Sequence, residues 1–400
     1  MNIQLLQLKK REERRLLQGH LWIYSNEIDT KRNPLKQFSP GEQVYVQSDK
    51  GKILGTAYIN PHSLLCARLV SRNKELLSYE LILRRIQQAL ALRQDLFPYP
   101  FYRLVYGESD LLPGLVIDRF DSHLVVQINT MGMEKFCTET LDALQKLLQP
   151  DSILLKNDSS MRLTEGLEQT VSAARGNPPD EVQLVENGVR FLAPLRGGQK
   201  TGWFYDQRYN RAELNKHVRG KRVLDVFSYI GSFGVQAAVS GAAQVWCVDG
   251  SRTALESARI NAAANGVEDR VNCTRGDAFE VLRGLYEQGE SFDVVIVDPP
   301  AFIKRKKDHR KGLQAYHRIN ALAMQLLNSN GLLLAASCSM HLQTGELRNL
   351  LRINGQNMGR HVQILFEGTQ APDHPVHPAI AETRYLKAFM CRALHPDKVL

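Results

Sequence analysis

From Val189 to the end of this 400-residue chain two hydrophobic periods alternate, and that alternation restricts the fold more than any other feature of the sequence. Arg222 to Phe227, Gln244 to Val248, Arg270 to Cys273, Phe292 to Val297 and Leu332 to Ala336 are short, largely apolar runs, the pattern of strands buried on both faces. Between them Phe233 to Ser240, Ser251 to Ala264, Ala278 to Tyr286 and Tyr316 to Leu327 carry helical spacing. Parallel strands are joined through crossovers of this kind, so the pattern predicts an α/β fold with a doubly wound, mostly parallel sheet. Val362 to Phe366 and Tyr385 to Cys391 bring the sheet to seven strands, the second of this pair antiparallel and at the edge or one place in from it.

Open α/β sheets build their sites beyond the carboxyl ends of the strands. Asp298-Pro299-Pro300 closes one run and Ser337-Cys338-Ser339 another, which places a carboxylate, a stiff turn and a thiol on one edge. That combination suits covalent attack on a flat, electron-poor ring. The first strand leads into a loop, Asp225-Val226-Phe227-Ser228-Tyr229-Ile230-Gly231-Ser232-Phe233-Gly234, that lacks the GxGxxG spacing of dinucleotide sites. Asp225 to Phe227, a turn at Gly231 and Asp249 closing the second strand are instead similar to the S-adenosylmethionine site of class I methyltransferases. Gly231 would let the backbone approach the methionine moiety, Asp249 would accept from both ribose hydroxyls, and Asp277 would face the adenine amino group. Losing the Asp249 carboxylate should cost on the order of 2 to 4 kcal/mol of binding. Singly, each residue also fits a structural part, a glycine as turn punctuation and an aspartate as a helix cap. Together, Asp225, Gly231, Asp249, Asp277 and Asp298 fall at successive strand ends.

The 43% hydrophobic content is enough to bury two or three cores. The opening residues run directly into the basic stretch Lys9 to Arg15, and no apolar run is long enough to cross a bilayer, so a cytoplasmic protein with no membrane partner is expected. Cys66, Cys137, Cys247, Cys273, Cys338 and Cys391 lie far apart without CxxC pairing, which predicts free thiols and no structural metal. The net charge of +9 is unevenly placed: residues 1–75 hold 13 Lys or Arg against 7 Asp or Glu, and Lys304 to Lys311 add six bases and one Asp. A polyanion is the natural partner for such surfaces, with solvated charged faces as the plain alternative.

Lys9 to Gly19 has helical spacing, and Val44 to Val46, Ile53 to Tyr58 and Leu64 to Val70 read as strands separated by turn residues, the pattern of a small β-barrel with one helix. The arrangement Lys9-x-x-Glu12-x-x-x-Leu16-Leu17-x-Gly19-His20-x-Trp22 resembles the opening of the RNA-binding PUA module. A helix from Tyr79 to about Leu96, strands at Leu115 to Asp118 and Leu124 to Ile128, and a helix over Glu134 to Leu148 describe a central α+β domain with a late turn-rich loop, Arg175 to Asp180. The expected domains are therefore 1–75, 76–188 and 189–400.

Over nearly its full length the chain resembles the bacterial 23S ribosomal RNA cytosine-5 methyltransferases that join a PUA domain, a central α+β domain and a methyltransferase domain. The segments that carry the likeness are Gln199-Lys200-Thr201-Gly202-Trp203-Phe204-Tyr205-Asp206-Gln207-Arg208, Asp225 to Gly234, Asp298-Pro299-Pro300-Ala301-Phe302 and Ser337-Cys338-Ser339. The resemblance implies S-adenosylmethionine as methyl donor, with Lys200, Asp206 and Gln207 or Arg208 near its amino-acid end and Asp225, Phe227, Gly231, Asp249, Asp277 and Asp298 along the rest. It implies 23S ribosomal RNA as partner, naked or within a partly assembled large subunit, and leaves a homodimer open. Cys338 would be the nucleophile for C6 of cytosine, and Asp298 would hold the exocyclic amine and N3 edge, with Pro299 and Pro300 fixing the loop. The base must leave its stack to be reached, along a path that Phe302 and the basic segment from Lys304 would line, although Phe302 equally fits loop packing. Ile230 and Ser232 stand where such families commonly have Thr and Gly. Ala301 occupies the place of a second Cys, so the base that removes the C5 proton is unassigned. The remaining cysteines read as core. A methyltransferase acting on a base nitrogen and a noncatalytic RNA-binding assembly factor stay open as alternatives.

Overall fold

The computed structural model describes residues 3–395, which form two compact units. One comprises 3–182, 194–205 and 372–383; the other comprises 183–193, 206–371 and 384–395. The expected segment ends at 1–2 and 396–400 lie outside the described residues.

The first unit holds two five-stranded sheets. In the first, Gln4–Gln7 pairs in parallel with Glu42–Gln47, and Ile53–Ile59, Ala67–Ser71 and Trp22–Ile23 follow across the sheet. Leu6, Leu8, Ile23, Val44, Val46 and Ala57 are buried in its core. The helix here is shorter than the spacing predicts, Glu13–Leu17 in place of Lys9 to Gly19. Leu8 is taken by a β-bridge to Ile28 and Arg11 has φ +73°, which a continuing helix cannot accommodate. The second sheet, ordered Thr170–Gly176, Ser152–Asn157, His123–Ile128, Leu115–Phe120, Phe101–Tyr106, packs with the helices Tyr79–Leu96 and Cys137–Leu148. Arg175 and Gly176 of the expected late loop are strand residues, and the loop proper is 177–180.

The second unit is built on the seven-stranded sheet. Its elements are β1 (Arg222–Val226), α1 (Gly234–Val239), β2 (Gln244–Asp249), α2 (Arg252–Ala263), β3 (Val271–Arg275), α3 (Ala278–Glu287), β4 (Phe292–Val297), α4 (His309–Gln325), β5 (Leu327–Ser337), α5 (Thr344–Asn357), β6 (His361–Gly368) and β7 (Lys387–Leu394). The strand order is β3-β2-β1-β4-β5-β7-β6. β7 runs antiparallel between β5 and the edge strand β6, one place in from the edge as the sequence pattern predicts. Val223, Leu224, Val294, Val295, Ile296, Leu333 and Ala335 are fully or almost fully buried, which is why these runs carry no polar alternation. A buried aliphatic side chain of this size stabilises the fold by roughly 1.5 to 3 kcal/mol. Val189 does not open the sheet. It begins the second arm of a hairpin, Glu181–Glu186 with Val189–Pro194, turned by Asn187 and Gly188 at φ +52° and +80°. Among the described residues no helix is long and apolar enough to cross a membrane.

Candidate active site

Strand register sets the carboxyl edge of the sheet. Val226 of β1 lies level with Val248 of β2 and Val297 of β4, Val297 lies level with Ala335 of β5, and Ser337 of β5 lies opposite Lys387 of β7. The edge therefore presents, in spatial order, Asp277, Asp249, Phe227, Asp298, Cys338 and Lys387, with Asp225 one residue inside β1.

The β1–α1 loop is held in a demanding shape. Phe227, Tyr229 and Gly231 have φ of +66°, +51° and +79°, and only the glycine adopts such a conformation without steric cost. A Cβ on Gly231 would stand 2.9 Å from Val235 Cγ2 and 3.1 Å from Ala258 Cβ. Strain at the other two positions, of order 1 to 3 kcal/mol each, persists because the surroundings fix the loop. Phe227 and Ser228 donate backbone N–H to the Val248 carbonyl (2.9 and 3.1 Å), Tyr229 donates to Asp249 Oδ2 (3.0 Å), and Asn261 Nδ2 donates to the Ile230 carbonyl (3.1 Å). Ile230 is buried and Ser232 lies 3.5 Å from Arg211 Nη1, so both departures from the family pattern are absorbed by packing.

Two carboxylates, Asp225 and Asp249, bond to this loop, and Asp277 stands beyond the next strand end. Asp225 is wholly buried and accepts from the Gly234 N–H at 2.8 Å; burial pushes its carboxyl up to about 7, and the charges of Asp298 and Asp249 push the same way against that hydrogen bond and Arg211. Asp249 is half-buried and also accepts from the Ser251 N–H at 2.8 Å, which leaves lone pairs for further donors. Asp277 is exposed and caps α3, Oδ1 accepting from Phe279 N (2.9 Å) and Glu280 N (3.2 Å), so the helix-cap part is fulfilled. A cluster of carboxylates beside a positive-φ glycine fits the sulfonium, ribose hydroxyls and amine of S-adenosylmethionine. The acceptors match a cationic, donor-rich molecule.

The segment expected at the amino-acid end is distributed between units. Lys200, at φ +48° and exposed in the first unit, sets its ammonium 4.6 Å from the centre of the Phe204 ring. Asp206, Gln207 and Arg208 are buried in the second. Asp206 accepts from Tyr385 Oη, Gln207 Oε1 accepts from Asn210 Nδ2 at 2.6 Å, and Arg208 lies 3.3 Å from the buried carboxylate of Glu186, which Arg211 meets at 2.6 Å. Gln207 and Arg208 thus have structural partners.

On the other half of the edge, Asp298 is half-buried, Pro299 buried and Pro300 exposed. Cys338 is half-buried, and the serines on either side of it are fully engaged. Ser337 Oγ donates to Tyr316 Oη (2.8 Å) and accepts from the Ser339 N–H (3.2 Å). Tyr316 Oη also accepts from the Phe302 N–H (3.4 Å), which leaves its own proton for Ser339 Oγ at 2.7 Å; Ser339 Oγ in turn accepts from the Ile303 N–H (3.3 Å). One buried tyrosine therefore ties the Asp298 loop to the Cys338 segment. One turn earlier in α4, Gly312 permits that approach, since a Cβ there would meet Phe302 O at 2.7 Å. Burial pushes the Tyr316 hydroxyl above its ordinary value, so it stays protonated and able to donate. Phe302 packs its ring against Tyr316 (centroids 4.8 Å), Phe279 (6.2 Å) and Phe227 (6.3 Å), the loop-packing part expected of it.

Lys304 to Lys307, Arg310 and Lys311 are exposed. α4 begins at His309, earlier than the spacing predicts, with two of these bases and no acid in its first turn. The N-cap residue Asp308 already places a carboxylate at this helix N-terminus, where it meets Arg305 Nε at 3.1 Å. Of the other cysteines, Cys66, Cys247 and Cys391 are buried as expected, but Cys137 and Cys273 are only half-buried.

The sequence reading missed Tyr316 as a site residue and Lys387 altogether. The signal for Lys387 was a lysine at the head of the apolar run Lys387-Ala388-Phe389-Met390-Cys391.

Residues 166–367 match the family described as S-adenosylmethionine-dependent methyltransferase, and residues 6–72 match the PUA-like domain. The chain is 40% identical over 396 residues to a ribosomal RNA large subunit methyltransferase I from Tolumonas auensis, covering 97% of this chain and 98% of that one. The protein of the same name from Cronobacter sakazakii is 36% identical over 400 residues, covering 98% and 100%. A solved structure of a candidate S-adenosylmethionine-dependent methyltransferase from Streptococcus mutans superposes with a TM-score of 0.83 at 22% identity, covering 98% of this chain and 100% of that chain, a likeness of fold.

Proposed function

The chain belongs to the ribosomal RNA large subunit methyltransferase I family, and from that premise we propose that it methylates C5 of a cytosine in 23S ribosomal RNA through a transient Cys338–C6 bond. As a member it is an S-adenosylmethionine-dependent methyltransferase of ribosomal RNA, with the cytoplasm as its place of work. The observation that carries the finer reading is the placement of Cys338: half-buried at the end of β5, one strand from Asp298, between two serines that Tyr316 holds still.

C5 of cytosine is a poor nucleophile until something adds to C6. The Cys338 thiolate forms the S–C6 bond, and the C5=C6 electron pair moves into the ring toward N3 and O2. Asp298 accepts from the exocyclic amine and fixes the ring while that charge develops. S-adenosylmethionine, when bound, supplies a methyl group on a positively charged sulfur. C5 takes the methyl with the displaced pair, the C5 proton leaves to solvent, and its bonding pair restores C5=C6 as the S–C6 bond breaks and the thiolate returns. Asp249, Asp225, Asp277 and the Gly231 turn hold the donor, with Phe227, Asp206, Gln207 and Arg208 around it. Pro299 and Pro300 keep the loop rigid, and Phe302 and Lys304 border the path of the extruded base. Residues 1–75 and the exposed bases from Lys304 bind RNA backbone, 76–188 positions them, and 189–400 carries the transfer.

The test is product analysis. With isotopically labelled donor and unmodified ribosomal RNA, digestion to nucleosides should place the label in 5-methylcytidine; label in a nitrogen-methylated nucleoside would replace this reading with transfer to an amino or ring nitrogen.

A further inference from the structure

The Cys338 segment has a second neighbour that the chemistry above does not use. Lys387 opens β7, opposite Ser337 in the β5–β7 register, and its side chain is buried. Its Nζ donates to the Ser339 carbonyl at 2.6 Å, so the ammonium is anchored to the residue after Cys338 while its Cα faces the residue before. A buried ammonium is costly unless an anion faces it. The charged and titratable groups that act on it are the Cys338 thiol, Arg384 and Glu346, and Glu346 is itself engaged by His309 at 3.0 Å. Tyr316 faces Cys338 from the α4 side and is held protonated by burial.

We propose that Lys387 is the positioning residue that sets the reactivity of Cys338, its ammonium standing beside the sulfur and holding it as the thiolate at the end of β5. This inference rests on the reading of Cys338 as nucleophile. The proton balance is internal: the neutral pair, thiol and amine, becomes thiolate and ammonium by passing one proton from Sγ to Nζ. Burial draws the Lys387 ammonium down to about 8 and the Cys338 charge acts against that shift, which makes the Lys387 amine an acceptor for the thiol proton. The same ammonium would favour departure of the thiolate when the S–C6 bond breaks. Only the proton position and the charge are assigned to Lys387; it forms no bond to RNA.

The test reads the thiol directly in the full-length protein. Cys338 alkylation by iodoacetamide is followed against pH by peptide mass spectrometry, because Cys273, drawn down to about 7 by its hydrogen bond with Cys247, will react as well. Lys387→Met removes both charge and hydrogen bond, Lys387→Gln keeps a donor for the Ser339 carbonyl without the charge, and Lys387→Arg keeps the charge. Met and Gln should each move the alkylation midpoint of Cys338 up by about one pH unit, an about tenfold slower reaction near neutrality, with Arg restoring most of it. S-adenosylmethionine affinity, measured alongside, should be unchanged and reports the fold. A Gln variant that folds and alkylates like the parent overturns the proposal, even if methylation falls. If instead the shift occurs but no Cys338 adduct with RNA can be trapped, the ion pair stands and the covalent reading fails.

Discussion

The two halves of the sheet's carboxyl edge are built by different means. On the β3-β2-β1 side, aspartates at strand ends accept backbone N–H groups from the loops that follow them: Asp225 from Gly234, Asp249 from Tyr229 and Ser251, Asp277 from Phe279 and Glu280. On the β4-β5-β7 side, the loops are joined by side chains from elsewhere, Tyr316 of α4 and Lys387 of β7. The first construction is local and makes a rigid, negatively charged cradle. The second brings together residues tens of positions apart and leaves a thiol and a carboxylate on neighbouring strand ends. On the function proposed above, a donor that must be gripped and a base that must enter and leave would place these different demands on the two halves.

Cys338→Ala should separate them most sharply, lowering methylation by at least about a thousandfold while leaving donor affinity within about twofold; equal loss of both would unite the halves. Asp249→Ala should have the converse pattern, weakening donor binding in calorimetry by about 2 to 4 kcal/mol, in part by freeing the strained Tyr229 turn. Asp225 links its half to pH. Its carboxyl is raised from 3.8 to about 7 in the fold, so between those values the native state keeps a proton that the unfolded chain has lost. Stability therefore falls as pH rises through that window, by on the order of 2 to 4 kcal/mol, and levels off above it. Urea unfolding at pH 5 and pH 8 should show this fall, and Asp225→Asn should flatten it. Tyr316→Phe deletes the hydroxyl that joins two loops and should cost about 1 to 2 kcal/mol of stability with a larger loss in turnover than in donor affinity. The smallest effect is expected at the rim: Lys306→Glu with Lys307→Glu should lower RNA affinity by about tenfold or less and flatten its salt dependence by one to two charges, with donor binding untouched.

The same contrast explains what could be read from sequence. Asp225, Gly231 and Asp249 could be singled out because each makes its contacts within a few residues of its own strand end or the next, and the seven-stranded, mostly parallel sheet follows from hydrophobic period. Tyr316 was legible only as a helix residue, because its partners Phe302, Ile303, Ser337 and Ser339 meet it through tertiary packing that no spacing encodes. Lys387 reads only as one residue of the strand expected over Tyr385 to Cys391, and its meaning depends on β7 inserting beside β5. The hairpin at Glu181–Glu186 and Val189–Pro194 was legible in principle, since Asn187-Gly188 between alternating residues is a strong turn signal. The shortened first helix was not, because the Leu8–Ile28 bridge is a tertiary pairing and Arg11 is a non-glycine residue in the left-handed region, neither of which helical spacing encodes.

Trapping on ribosomal RNA substituted with 5-fluorocytidine tests the covalent role of Cys338 most directly, because fluorine at C5 cannot leave as a proton and the S–C6 bond persists after methyl transfer. Wild-type protein incubated with S-adenosylmethionine and this RNA should yield a denaturant-stable complex whose cross-linked peptide contains Cys338. No adduct from a preparation that methylates ordinary RNA, or an adduct at another cysteine, would contradict the role given to the thiol at the end of β5.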